Sequence, residues 1–310
     1  MRLLRSEFLR ARSRRLVPMV MIGGLVGIVI GMGIVAITAT KPSAAEIAQA
    51  QASFDKQVAR CERDIAASQI PVDELPSGAT DPRAYCERTW SPQFDAVLLR
   101  DLDTILQGTA TFVILLAVLL GASLGGADWT SNTMQTLLTW EPRRVRVFLV
   151  RALVIGGCVF VITVFLQVVF AAVTALVAST RGSAGFLPSD FWRSVALTIG
   201  RVSAVSTALG VIAYAIAMIG RSTVAALGAL FGYLILFEAV IAGFRPTIQG
   251  NLLLRAAIVV ITHQRILDQT AFDGPSGVLL DVPKAWLVVG IYTLVLGALA
   301  LVVFRRRDVT

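Results

Sequence analysis

The sequence predicts an all-α integral membrane protein. Six transmembrane helices are expected, with both termini cytoplasmic, an amphipathic interfacial helix at the N-terminus and a helical, disulfide-stapled extracellular insert between spans 1 and 2. Three observations carry that reading. Of 310 residues 56% are hydrophobic and only 15% charged, the balance of a polytopic membrane protein rather than of a water-soluble core. Six apolar runs are long enough for the ~20-residue helices that cross a bilayer. Several of the short stretches between them are rich in arginine, the mark of the cytoplasmic side. A formal charge of +8 would also suit a nucleic-acid binder. Many of the arginines cluster at span ends, however, so membrane topology explains the charge and no nucleic-acid partner is expected.

Residues 1–15 alternate Leu3, Leu4, Phe8 and Leu9 with Arg2, Arg5, Arg10, Arg12, Arg14 and Arg15. At helical spacing this gives one apolar and one cationic face, the pattern of a helix lying in the membrane interface. The apolar run that follows, 16–39, is too long for a signal-peptide core and no clear cleavage site follows it. It is therefore expected to be an uncleaved first span. Residues 40–103 change character: 11 acids stand against seven bases, and the segment is placed outside. Ser43 followed by Glu46 is a capping box, so 44–68 should be a helix. Cys61 and Cys86 both fall in this insert, where two cysteines outside the cytoplasm are expected to form a disulfide. With no histidine or third cysteine nearby, metal is not expected. Pro71, Pro76, Pro82 and Pro92 predict a stapled loop without regular structure over 69–93. The whole insert reads as a structural cap, with gating or substrate contact as the alternative.

The second span is 104–127, and the basic stretch 128–151 after it, DWTSNTMQTLLTWEPRRVRVFLVR, is expected on the cytoplasmic side. Met134, Leu137, Leu138 and Trp140 make an apolar stripe against Ser131, Asn132, Gln135 and Thr139, so its first part should be a short amphipathic helix. Pro142 should end that helix, and Arg143 and Arg144 restart the chain at the headgroups. With little to bury the stripe against, the helix can rest on lipid or dock a soluble partner.

Spans three, four and five are expected at 152–178, 194–219 and 223–244, with Gly220, Arg221 and Ser222 as a tight turn between the last two. Residues 245–284 return outside. Within them the apolar run 252–261, broken only by Arg255, is too short to span and suggests a re-entrant or interfacial helix. Span six is 285–304, anchored by Arg305, Arg306 and Arg307.

Catalytic chemistry is nearly absent. The three lysines, Lys41, Lys56 and Lys284, stand in no phosphate-binding loop of the G-x-x-x-x-G-K-[ST] kind. The one histidine, His263, reads as a surface or packing residue, and Cys158 as an apolar filler in span three. No nucleophile and base can be assembled, so the chain is not expected to be an enzyme, and no metal or cofactor site is expected on it. Two intramembrane charges stand out, Arg201 on span four and Glu238 on span five, each ~9–10 Å below the outer end of its span. Isolated charges at that depth are costly, so they are expected to pair with each other or to line a translocation path.

An acid, an aromatic, a spaced threonine, a Leu-Leu-Thr, then Pro-Arg-Arg and a hydrophobic-basic return resembles the loop between spans two and three of type-2 ABC exporter permeases. The matching positions are Asp128, Trp129, Thr133, Leu137, Leu138, Pro142, Arg143, Arg144 and Arg146. Many members of that family carry Glu where Asp128 stands here. The pattern LLRSEFLRARSRR resembles the family's elbow helix, with Glu7 at the usual acidic position, and the short outer helix before span six is also similar. The likeness covers most of the chain except the insert. It implies an ATPase-coupling role for Asp128, Trp129, Thr133, Met134, Leu137, Leu138, Trp140, Pro142, Arg143 and Arg144. It also implies two copies of an ABC ATP-binding subunit, which would hold ATP and Mg, and a second permease chain, as a homodimer or related heterodimer. The lipid bilayer of a bacterial plasma membrane would surround them. Cargo of the family includes amphiphiles, drugs, lipids and peptides, moved outward. A membrane sensor or assembly factor with a ligand-binding extracellular domain is the alternative. A secondary transporter fits less well, because no span centre carries a coupling carboxylate and no inverted repeat is visible.

Overall fold

The computed structural model describes residues 6–7, 9–10, 13–38, 43–68, 82–89, 99–130, 133–140, 143–181, 191–238, 240, 244, 246–267 and 278–306. They are overwhelmingly helical. In chain order the helices are α1 (Leu16–Thr38), α2 (Ala44–Ser68), α3 (Pro82–Thr89), α4 (Leu102–Thr130), α5 (Thr133–Trp140), α6 (Arg144–Arg181), α7 (Phe191–Gly220), α8 (Thr223–Phe231), α9 (Leu253–Thr262) and α10 (Val282–Arg306). Five of them, α1, α4, α6, α7 and α10, contain stretches long and apolar enough to cross a membrane. The chain therefore has the character of a multi-pass transmembrane protein.

The fifth span, expected over 223–244, takes a different form. There α8 is followed directly by a π-helical turn, Gly232–Phe237. The Glu238 N–H reaches back to the Tyr233 carbonyl, five residues earlier. That wider turn interrupts the α-helical ladder. It leaves Leu236 and Phe237 exposed while Glu238 turns inward, only 3% exposed. The described α-helical part is too short to count as a span by length. The expected interfacial helix 1–15 falls only partly within the described residues, of which 6–7, 9–10 and 13 are helical.

Helix ends also differ from the apolar runs. α6 begins at Arg144, well before the expected start of its span, because nothing between Pro142 and the apolar core breaks a helix. Hydropathy marks where lipid begins, not where a helix begins.

The chain folds as two compact units. The first comprises Met1–Ile30, Leu102–Ala172 and Pro188–Thr310. Its core runs along α4 and α7, which approach closely through small residues: Ala117, Ala122, Ala213 and Ala217 are all fully buried. Gly121 is the point of closest approach, where an added Cβ would run into the Gly210 carbonyl. Gly121→Val should therefore cost ~1–3 kcal/mol or more, since backbone rather than a movable side chain must give way. Gly23→Val, whose Cβ would meet nothing within 4 Å, is the control and should be near neutral. Thermal unfolding in detergent reads both.

The short apolar run before span six forms α9. Its Leu253, Ala256, Ala257, Val259, Val260 and Ile261 are buried in the same core. His263 ends it in the left-handed region at φ 58°, donating its N–H to the Val259 carbonyl at 2.9 Å. The histidine thus serves as a C-cap. A two-stranded antiparallel ribbon, β1 (Ile266–Leu267) with β2 (Val278–Leu280), follows and has no counterpart among the expected elements. Asp281 then starts α10, accepting the Ala285 N–H on its carbonyl and the Lys284 N–H on its carboxylate.

The second unit is Gly31–Asp101 with Val173–Leu187. Ser43 and Glu46 form the capping box: the Ser43 N–H donates to Glu46 Oε2 at 2.6 Å and the Glu46 N–H to Ser43 Oγ at 3.2 Å. The first of these bonds holds the Glu46 carboxyl below its ordinary pKa. Cys61 and Cys86 form the disulfide, with Cα atoms 5.9 Å apart, and Cys158 is free. The expectation of irregular structure over 69–93 is corrected by α3. Pro82 sits in the first turn, where its missing N–H costs nothing, and Arg83 Nε donates to Glu87 Oε1 at 2.9 Å across one turn. The rest of that stretch lies outside the described residues.

Candidate functional site

The loop between α4 and α6 is held from beneath by a buried cluster of charge. Asp128 is in the last turn of α4 and is 1% exposed. One of its oxygens is ion-paired to Arg14 and the other to Arg151 in the second turn of α6. Thr133, at the start of α5, donates its hydroxyl to the same carboxylate at 3.1 Å. Arg151 is 3% exposed and uses its whole guanidinium. Its Nε donates to Glu7 Oε2 at 3.1 Å, and its Nη1 lies 3.4 Å from Met134 Sδ. Arg10 reaches the other Glu7 oxygen at 3.4 Å. Three arginines and two carboxylates therefore join the N-terminal segment, α4, α5 and α6. Buried charge at this density persists only when each partner is present.

A second layer is aromatic. The Arg221 guanidinium lies over the Trp129 ring, 4.9 Å from its centroid, and Trp129 meets Phe304 of α10 edge to face at 6.2 Å. Phe304 in turn contacts Phe148, and Phe148 contacts Tyr214, whose hydroxyl donates to the Phe148 carbonyl at 3.3 Å. Arg144 donates to the Arg305 carbonyl at 3.4 Å. Through these contacts the loop is tied to α6, α7 and α10 as well.

Of the expected docking stripe, Met134 is buried, 1% exposed, with its sulfur against Arg151. Asp128 is likewise internal. Leu137 is half-buried, and Thr133, Thr136, Thr139 and Arg143 are exposed. The side chains of Leu138 and Trp140, and Pro142 altogether, lie outside the described residues. Sequence reasoning names Asp128 from resemblance but misses Arg14 and Arg151 as its partners. The signal is present in Arg151, a lone arginine inside an apolar run.

Arg201 and Glu238 do not pair; no ion pair joins them among the described residues. Glu238 instead accepts the Leu254 N–H at 2.7 Å, at the first turn of α9. Arg201 faces the other end of that helix, where its charge, after desolvation and together with Arg265, lowers the pKa of His263. The anion is thus at the N-terminus of α9 and the cation near its C-terminus, the arrangement that a helix dipole favours at each end. A ten-residue helix, ~15 Å long, separates them.

Among the described residues no group of three or more His, Cys, Asp or Glu could hold a metal ion. No family model matches this chain, and a search of curated proteins finds no match.

Proposed function

We propose that this chain is the membrane-spanning permease subunit of an ATP-driven ABC exporter. The observation that carries the reading is α5. It is a short helix between two long apolar ones, fixed underneath by Asp128, Arg151 and Met134, with Leu137 half-buried and Thr133, Thr136 and Thr139 left uncovered. Such a helix is mechanically coupled on one face and open to a partner on the other. In this account two ATP-binding subunits hold ATP and Mg, and each docks on the α5 of one permease chain in a homodimer or related heterodimer. Their ATP-driven closure pushes α5. The push reaches α4, α6 and the N-terminal segment together, because the Asp128–Arg151–Glu7–Arg14 cluster joins all of them. The cavity between permease chains then changes the side to which it opens, and an amphiphile, drug, lipid or peptide leaves outward.

The same reading has the chain in a bacterial plasma membrane, with 128–151 cytoplasmic, the insert 40–103 extracellular, and 223–244 as one of six spans. Leu137→Asp tests it. The chain should still insert, because Leu137 is only half-buried and not among the buried core residues, and thermal unfolding separates any loss of stability from loss of coupling. Stimulation of the partner's ATPase by the permease should be lost. Unchanged stimulation and transport in the variant would remove α5 from the coupling path.

A further inference from the structure

A cavity of about 390 Å³ lies between α7, α8, α9 and α10. That is within the ~300–1,000 Å³ of ordinary small-molecule sites. Ile212, Leu230 and Leu253 form its buried floor, and Ile291 and Val295 of α10 stand exposed at its mouth. Among the described residues, Tyr233 and Tyr292 are the only polar side chains on the wall. Their hydroxyls are already engaged. Tyr233 donates to Tyr292 at 3.0 Å, and Tyr292 donates to the Asn251 carbonyl at 3.3 Å. A polar group brought into the cavity would leave water and find no free donor.

Depth narrows the occupant further. Tyr292 and Val295 lie 10 and 13 residues beyond Val282, the first residue of α10. At helical rise this is ~15–20 Å, close to the middle of a ~30 Å hydrocarbon core. The mouth also continues an exposed aliphatic stripe on α10, in which Leu287, Ile291, Leu294, Val295 and Leu299 are 50–73% exposed. A single alkyl chain, the species that fills the membrane at this depth, suits an apolar space of this volume.

We infer that this cavity binds one hydrocarbon chain of a membrane lipid, which enters sideways between α8 and α10. The bound chain packs on Leu253, next to the residue whose N–H Glu238 holds, and so helps to seat α9. This site requires the membrane alone and no ATPase, so it stands or falls apart from the transport proposal.

The test uses purified full-length protein in detergent with a phosphatidylcholine that carries a photoreactive diazirine near the end of one acyl chain. Adducts are mapped by mass spectrometry. They should concentrate on 229–233 and 291–296, saturate, and be competed by unmodified phosphatidylcholine. Ile291→Trp should block the mouth and abolish those adducts while adducts on Leu287 and Leu299 persist. Ala229→Phe, from the other lip, should do the same, and thermal unfolding confirms that either variant is folded. Adducts spread along α10 in proportion to exposure, unaffected by both variants, would mean ordinary boundary lipid and overturn the site. A photoreactive amino acid placed at Ile291 that cross-links a second copy of the chain would overturn it too, by showing that protein covers the mouth. The same peptides labelled from a headgroup diazirine would contradict an apolar occupant.

Discussion

Asp128→Ala should lower the stability of the protein by ~3–5 kcal/mol, the usual cost of removing one partner from a buried charge cluster. The cause is what remains. Arg151 is 3% exposed and would keep only the Glu7 carboxylate, while Arg14 would lose the partner that holds it against the end of α4. Among the described residues the cluster carries three arginines against two acids, so removing one acid deepens its excess of positive charge beneath α5. Asp128→Ala combined with Arg151→Met should be milder than the sum of the two single changes, because each alone strands the other's charge. A double-mutant cycle followed by thermal unfolding in detergent measures this coupling. Additive losses would show that the two side chains do not depend on each other.

Removal of the disulfide should have the second-largest effect. Cys61→Ser with Cys86→Ser frees a 25-residue separation between α2 and α3 and should cost ~3.5 kcal/mol on the chain-entropy estimate. The loss should be confined to the unit formed by Gly31–Asp101 and Val173–Leu187, in which α2 is largely exposed apart from Val58 and the Cys86 side chain of α3 is buried. Hydrogen exchange should therefore speed up in α2 and α3 while α4 and α7 keep their protection. Mass spectrometry of alkylated protein before reduction should show a 61–86 cross-link with Cys158 modified. Alkylation of all three thiols without reductant would contradict the disulfide.

Much of the fold is legible in the sequence because its signals are local. The apolar runs announce α1, α4, α6, α7 and α10, and the Ser43–Glu46 spacing marks the start of α2 where the capping box is found. The break expected around Pro142 falls between α5 and α6. What is not legible depends on contacts distant in sequence or on backbone detail. The π-helical turn at Gly232–Phe237 leaves no periodic signature, yet it decides where Glu238 points. Equal depth in their expected spans matches Arg201 with Glu238, but depth is a one-dimensional criterion. In three dimensions the short α9 stands between them and takes one charge at each end. Met134 sits on the apolar face of α5 as its spacing predicts. Only the position of Arg151 reveals that this part of the face is already covered. The same holds for the partners of Asp128: Arg14 is 114 residues away in the chain, beyond the reach of any local pattern.

Cross-linking from α5 tests the central claim most directly. A photoreactive amino acid at Thr136, exposed on α5 and outside the charge cluster, should capture one protein of defined chemistry in the cell: a subunit with a G-x-x-x-x-G-K-[ST] phosphate-binding loop. The same probe at Ile47 of α2, on the proposed outer side, should not capture it. Capture from Ile47 instead, or cross-linking of Thr136 to lipid alone with the chain in a functioning cell, would contradict a coupling helix and with it the exporter assignment.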